Sequence, residues 1–246
     1  MRSFIIAIQF LTRIPVPGLG EIGEHEVGRS LAYYPLVGLV IGVLLSAFNW
    51  ILADTPAGLQ AGLILALWVL ITGALHLDGL ADSADAWIGG LGNKERTLQI
   101  MKDPRCGPAA VVLVVLLLLI KFSALQVLIE NEQWQILILS PLLARTSLPL
   151  LFQTTAYVRK GGIGSAMAEH VSSFEGILLP MLISLTIIIM MGWSGLVLIL
   201  SIMGVFILLR AMMMQRLDGI TGDTAGALVE VIEMLVLVVA VLLPIT

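Results

Sequence analysis

Asp78, Asp82 and Asp85 stand at spacings of four and three in the stretch His76-Leu77-Asp78-Gly79-Leu80-Ala81-Asp82-Ser83-Ala84-Asp85. On a helix advancing about 100° per residue they share a sector of roughly 60°. Like charges this close repel, and a hard cation relieves the repulsion, because carboxylate oxygens are the preferred ligands of magnesium. The bland alternative is a solvated helix end with acids near its positive N-terminus. Gly79, Ala81 and Ala84 between the acids favour close packing or ligand approach instead. A second group reads Asp218-Gly219-Ile220-Thr221-Gly222-Asp223 and continues to Glu230 and Glu233. Asp223 or Thr221 can cap the helix that starts here. Capping does not explain Glu230, seven residues on and on the same face, or Glu233. Magnesium keeps water and phosphate among its ligands, so two carboxylate groups sharing metal and a diphosphate form a reasonable assembly.

Cations flank the first group. The loop Lys102-Asp103-Pro104-Arg105-Cys106-Gly107 opens an apolar segment, and Lys102 and Arg105 beside a helix N-terminus make a natural phosphate clamp. His76, two residues before Asp78, can act as a base or as a hydrogen-bonding support. Arg145 follows Pro141 in mid-segment, where a bare guanidinium is hard to tolerate, so it calls for a phosphate or carboxylate partner. Lys121 either snorkels or pairs with an acid. His25 and His170 read as loop residues, and the lone Cys106 as a small packing residue.

The elements that must hold these groups are membrane helices. Of the 246 residues 59% are hydrophobic and only 12% charged, and mean hydropathy is +1.04, far from the balance of a soluble domain. Runs of about 20 apolar residues suffice to span. They fall at roughly 34–53, 58–77, 107–129, 135–152, 176–193, 195–214 and 228–245. The expected fold is therefore an all-α polytopic bundle of about seven transmembrane helices, residues 1–246 forming one integral membrane domain. The stretch 3–14 is too short to cross and is placed in the interface or as a re-entrant element. No cleavable signal peptide is expected, since Phe4–Leu11 is short and is followed by Arg13, Pro15 and Pro17. The spans 176–193 and 195–214 must be joined by a tight hairpin.

Loop Lys and Arg residues all fall on one side: Arg2, Arg13 and Arg29 before the first span, then Lys94, Arg96, Lys102 and Arg105, then Arg159 and Lys160, then Arg210 and Arg216. By the positive-inside rule that side is the cytoplasm. Both acidic groups then face it, in the inner membrane of a cell. A formal charge of −4 and no basic surface exclude nucleic acid as a partner.

Five motifs together resemble the cobalamin synthase family, the adenosylcobinamide-GDP ribazoletransferases. They are Phe10-Leu11-Thr12-Arg13-Ile14-Pro15-Val16-Pro17, Tyr34-Pro35-Leu36-Val37-Gly38, His76-Leu77-Asp78-Gly79-Leu80-Ala81-Asp82, Met101-Lys102-Asp103-x-Arg105-x-Gly107, and Thr221-Gly222-Asp223-Thr224-x-Gly226-Ala227-x-x-Glu230. The sequence departs from the pattern at Pro104, usually Ser, and at Ala110, where a glycine is expected. The resemblance implies that a ribose hydroxyl of α-ribazole, or of its 5′-phosphate, attacks adenosylcobinamide-GDP. GMP leaves, and magnesium is the implied cofactor. Asp78, Asp82, Asp85, Asp223 and Glu230 are the expected metal ligands. Asp82, Asp85, Asp223, Glu230 and His76 are the expected catalytic groups. Lys102, Arg105, Arg13 and Arg145 are the expected substrate contacts, and an apolar cleft toward the cytoplasmic leaflet would carry the corrinoid.

Two other classes compete. A secondary transporter would use its acids for ions or protons, but such proteins often show internal repeats, and none is visible. A phosphotransferase of the CDP-alcohol class would carry Ala-Arg after its second acid, where this chain has Ser83-Ala84-Asp85.

Overall fold

In a computed structural model, which describes residues 2–243 except 160 and 162, the chain is a helical bundle. Lys160 lies outside the described residues. Helix α1 (Arg2–Leu11) is about 15 Å long, half of what a bilayer core requires. It packs by Ala7, Ile8 and Leu11 into the main core with Leu31 and Tyr34. The short α2 (Glu24–Ser30) and one 3₁₀ turn lead into α3 (Tyr34–Ile51). Then follow α4 (Ala57–Thr72), α5 (Leu75–Gly89), α6 (Lys94–Ile100), α7 (Pro108–Glu130), α8 (Gln135–Thr154), α9 (Ile163–His170), a π-helical turn at Phe174–Leu178, α10 (Leu179–Leu217) and α11 (Gly222–Leu242).

The expected span 58–77 is not one straight helix. Gly73 (φ 61°) and Ala74 (φ 57°) are both left-handed, and α4 and α5 meet at 87°. Two such residues in succession cannot continue a right-handed helix. The break exposes carbonyls at the end of α4, and the chain after α1 covers one of them: the Arg13 N–H donates to the Ile71 carbonyl at 2.7 Å. The acid-bearing helix α5 thus leaves the α4 axis. It runs across the N-terminal halves of α7 and α11, with Leu77 and Leu80 packed on Leu117 and Ala227.

Among the described residues five helices are long and apolar enough to cross a membrane, or six with the bent α4–α5 pair as one span. Helix α10 supplies two passes. A straight 39-residue helix would be about 58 Å long. Yet Gly176, just before α10, abuts Gln153, and Gly219, just after it, abuts Ala156 three residues further along the chain. Both ends are on one face, so the helix must reverse. It does so at Gly192, whose φ of 56° and ψ of −127° are far from helical. This is the expected hairpin between 193 and 195. Helix α11 begins six residues before the expected 228, because Thr221 caps it and the capped turn carries polar residues that no apolar window includes.

The tightest helix pair is α3 on α8. A side chain at Gly38 would strike the backbone of Pro141 and Leu142, and one at Gly42 the backbone of Ile138. This small-residue spacing of four lets two helices approach where lipid provides no hydrophobic drive. Gly38→Val or Gly42→Val should lower the stability of the detergent-solubilised protein by about 1–3 kcal/mol, seen as a fall in Tm. Gly204→Ala, where nothing lies within 4 Å, should leave Tm unchanged.

Candidate active site

Helix α11 begins with a reciprocal cap. The Thr224 N–H donates to Thr221 Oγ1 at 3.2 Å, and the Thr221 N–H donates to Thr224 Oγ1 at 3.0 Å. Of the two capping candidates it is Thr221 that caps, which frees the Asp223 carboxylate. Asp223 sits in the first turn, where the helix dipole favours a negative charge. Its chain packs directly on Gly79 of α5: a side chain at Gly79 would strike the Asp223 backbone. That close approach sets Asp78 and Asp223 on the wall of one cavity. Asp82 lies within electrostatic reach of both, and of Arg159 and Asp85.

Arg159 was counted in the sequence only as an orienting loop charge. Its Nη2 donates to Asp223 Oδ2 at 2.5 Å across 64 residues. A short parallel bridge holds it there: the Val158 N–H donates to the Ile220 carbonyl at 2.9 Å, and the Ile220 N–H to the Ala156 carbonyl at 2.8 Å. The Arg159 Nε is buried without a partner. A guanidinium with one face on a carboxylate and a donor to spare suits a phosphate oxygen. No motif or periodicity singles it out; its role comes from the pairing of segment 156–158 with 220.

The other expected residues separate into four places. Asp85 turns toward α7, where it accepts from the Gly107 N–H at 2.5 Å and the Ala110 N–H at 3.0 Å. The α7 N-terminus expected to hold phosphate is thereby occupied by an aspartate from α5. A side chain at Gly107 would collide with that carboxylate, whereas Ala110 offers only its N–H. Arg105 grips its neighbour Asp103, with Nε to Oδ1 at 2.9 Å and Nη2 to Oδ2 at 2.5 Å, and its guanidinium holds the Asp103 carboxyl down at about 2. Lys102 and Arg105 are exposed. The exposed Arg13 packs its side chain over Gly73 at the α4–α5 break. Asp218 pairs with Lys94 of α6 at 2.8 Å. Cys106 is exposed rather than packed, and His25 and His170 meet edge to face at 5.9 Å.

Glu230 and Glu233 belong to the last of these places, deep in the bundle. Lys121 of α7 donates to Glu230 Oε2 at 2.6 Å and to Glu233 Oε2 at 2.5 Å. Arg145 of α8 donates to Glu233 Oε1, and its second terminal nitrogen lies 3.4 Å from His76 Nδ1. Both cations therefore have carboxylate partners, one of the two alternatives that the sequence left open for each. The Lys121 ammonium also stands 4.9 Å from the centroid of Trp68. All four charged side chains and His76 are at most 4% exposed. Two positive and two negative charges leave the group neutral. Glu230 thus faces Lys121, and His76 and Arg145 face each other inside the bundle.

Magnesium needs only one or two carboxylates when substrate phosphates and water complete its octahedron. Among the described residues no three acidic, His or Cys side chains converge as a preformed cage. Asp78, Asp82 and Asp223, gathered without such a cage, fit an ion that arrives with a diphosphate.

Fold and site together define a multi-pass membrane protein with a carboxylate–arginine centre on its basic face. The family described as Cobalamin-5-phosphate synthase matches residues 3–241, and the chain belongs to it. The chain is 54% identical over 238 residues to the adenosylcobinamide-GDP ribazoletransferase of Pseudomonas fluorescens strain Pf0-1, covering 97% of this chain and 98% of the relative. It is 52% identical over 240 residues to that of Pseudomonas aeruginosa, with 97% of each covered. It is 49% identical over 243 residues to that of Pseudomonas syringae pv. syringae, with 99% and 100% covered. No solved structure matches. These relationships leave the transporter and CDP-alcohol readings without support.

Removing one cation from the buried group strands a carboxylate charge. Lys121→Met should cost about 3–5 kcal/mol in unfolding free energy measured in detergent. Adding Glu230→Gln should recover at least half of that loss. A double variant as unstable as the single one would show that the charges do not compensate each other.

Proposed function

We propose that the chain joins the nucleotide loop of cobalamin, transferring the phosphate-bearing adenosylcobinamide of adenosylcobinamide-GDP to α-ribazole or its 5′-phosphate. The observation that carries this reading is the meeting of Asp78, Asp82 and Asp223 with Arg159 on the face that collects the basic loops. Diphosphate chemistry needs those components. The reaction forms one bond, from the acceptor ribose oxygen to the corrinoid-linked phosphorus, and breaks the bond from that phosphorus to the bridging oxygen of GMP.

Asp78, Asp82 and Asp223 would hold magnesium, which supplies charge neutralisation on the diphosphate oxygens. Arg159, released from Asp223 toward the substrate, adds a planar pair of donors where charge gathers on the leaving phosphate. Among the described residues no side chain or backbone donor engages Asp82, unlike Asp85, and it is the carboxylate best placed to take the ribose proton. The exposed Lys102 and the Asp103-paired Arg105 would add positive charge to the loop that leads into α7. The corrinoid is too large for the enclosed site. It has an apolar cleft of about 640 Å³ beside the acidic helix, walled by Trp87, Ile88, Val112, Leu113 and Met212, with the unpartnered Ser83 hydroxyl among them. The positive face is the cytoplasmic one in this reading, which puts the site where nucleotides and magnesium are plentiful.

Asp82→Ala protein, purified and incubated with adenosylcobinamide-GDP, α-ribazole and magnesium, should release no GMP while keeping the wild-type Tm. Arg159→Ala should slow release by about 10²–10³-fold, the usual cost of one donor at a developing anion. Full turnover by the Asp82→Ala protein would sink the assignment of that carboxylate.

A further inference from the structure

One feature of the centre is not used by the phosphate chemistry: Asp78 and Asp223 open onto a chamber of about 210 Å³ whose other walls are largely aromatic and aliphatic. Four rings line it. Phe10 of α1 stacks on Tyr34 of α3, with centroids 6.5 Å apart and 20° between planes. Phe152 of α8 stacks on Tyr157 at 6.0 Å and 17°. The Tyr34 hydroxyl is already taken, donating to the Met167 sulfur at 3.3 Å. Burial pushes the Tyr157 hydroxyl above the usual tyrosine range, so it stays a neutral donor.

Four separate parts of the chain converge to build this chamber beside two carboxylates, and structure alone does not need it. A close-packed interior leaves few voids larger than a water molecule. Here the gap would admit a bicyclic heterocycle and would not admit a corrin ring. Parallel ring faces are the usual platform for a flat aromatic ligand, which they grip without reading its edges.

We propose that this chamber binds the base of the acceptor riboside, the dimethylated benzimidazole, with its ribose directed at Asp78 and Asp223. The assignment rests on the transferase reading above and adds the acceptor's seat to it. Guanine, the donor's base, carries more donors and acceptors around its rim than the His76 ring and the Tyr157 hydroxyl can pair, and the remaining hydrocarbon walls would leave the rest unpaired at a cost. The benzimidazole presents methyl groups and ring edges there. Seating it brings a ribose hydroxyl to the carboxylate group, where Asp82, one turn beyond Asp78 on α5, takes its proton. The aromatic pair on α1 and α3 also gives the short N-terminal helix a role in the site, though it cannot cross the membrane.

Two measurements test this. Ala225, on the chamber wall and 5% exposed, is replaced by Met to fill the space. In the full-length protein, Ala225→Met should weaken binding of α-ribazole, titrated alone, by at least tenfold and raise its KM likewise. The KM for adenosylcobinamide-GDP should move less than twofold, which also reports that the variant is folded. With wild-type protein, removing the methyls of the base one at a time should weaken binding by about fourfold each. Should the variant fail to fold, this ligand series decides alone.

An acceptor affinity indifferent to both the substitution and the methyls would overturn the chamber assignment, as would a rise in donor KM alone. The failure of the transferase reading looks different. There wild-type protein releases no GMP, yet still binds α-ribazole in a manner that Ala225→Met weakens.

Discussion

Two cations and two carboxylates, buried among lipid-length helices, are the interaction on which the bundle turns. Lys121 and Arg145 come from α7 and α8, Glu230 and Glu233 from α11. Each alone would be untenable there, since the desolvation penalty of one buried ion is several kcal/mol. Together they are neutral and hydrogen-bonded. Lys121 stands about 20 Å along α7 from Pro108, and Glu233 about 16 Å along α11 from Gly222. The helices therefore cannot slide or rotate independently without exposing a charge to hydrocarbon. Trp68 and His76 bring α4 and α5 to the same point, one through its ring face and the other through Arg145.

The site at the basic face follows from that anchor. With α11 fixed in rotation by Glu230 and Glu233, its first turn can face only one way, and Thr221 completes that turn without using Asp223. With His76 held inside, α5 emerges from the break at Gly73 and Ala74 along a set path, bringing Asp78 and Asp82 to Asp223 across Gly79. Asp85, one turn further, ties α5 to the α7 N-terminus. One helix thus uses successive turns for structure, for the site, and for structure again.

Much of this arrangement is legible in the residues, and the reason is locality. Apolar run length locates α3, α7 and α8 within a few residues, and two runs too close to be joined by anything but a hairpin place the α10 reversal within two residues of Gly192. The acids of α5 do lie on one face. What run length misses is the bend between α4 and α5, because the run continues apolar through two residues that adopt left-handed backbone. A helix N-terminus at Gly107 suits a phosphate, but Asp85 reaches it from another helix, and nothing in the loop's own residues signals that contact.

The amino-acid order alone determined that the chain is a multi-pass helical membrane protein, which face collects its basic loops, and that both acidic groups begin at that face. Those are properties of composition and period, read along one helix at a time. Which acids work together is decided only by the tertiary structure. Helical spacing says where a carboxylate points relative to its own axis, not what stands opposite. Lys121 lies 109 residues from Glu230, and Arg159 lies 64 from Asp223. Packing split one apparent acidic motif on α11 into a carboxylate paired with Arg159 at its mouth and an electrostatic anchor in its depth.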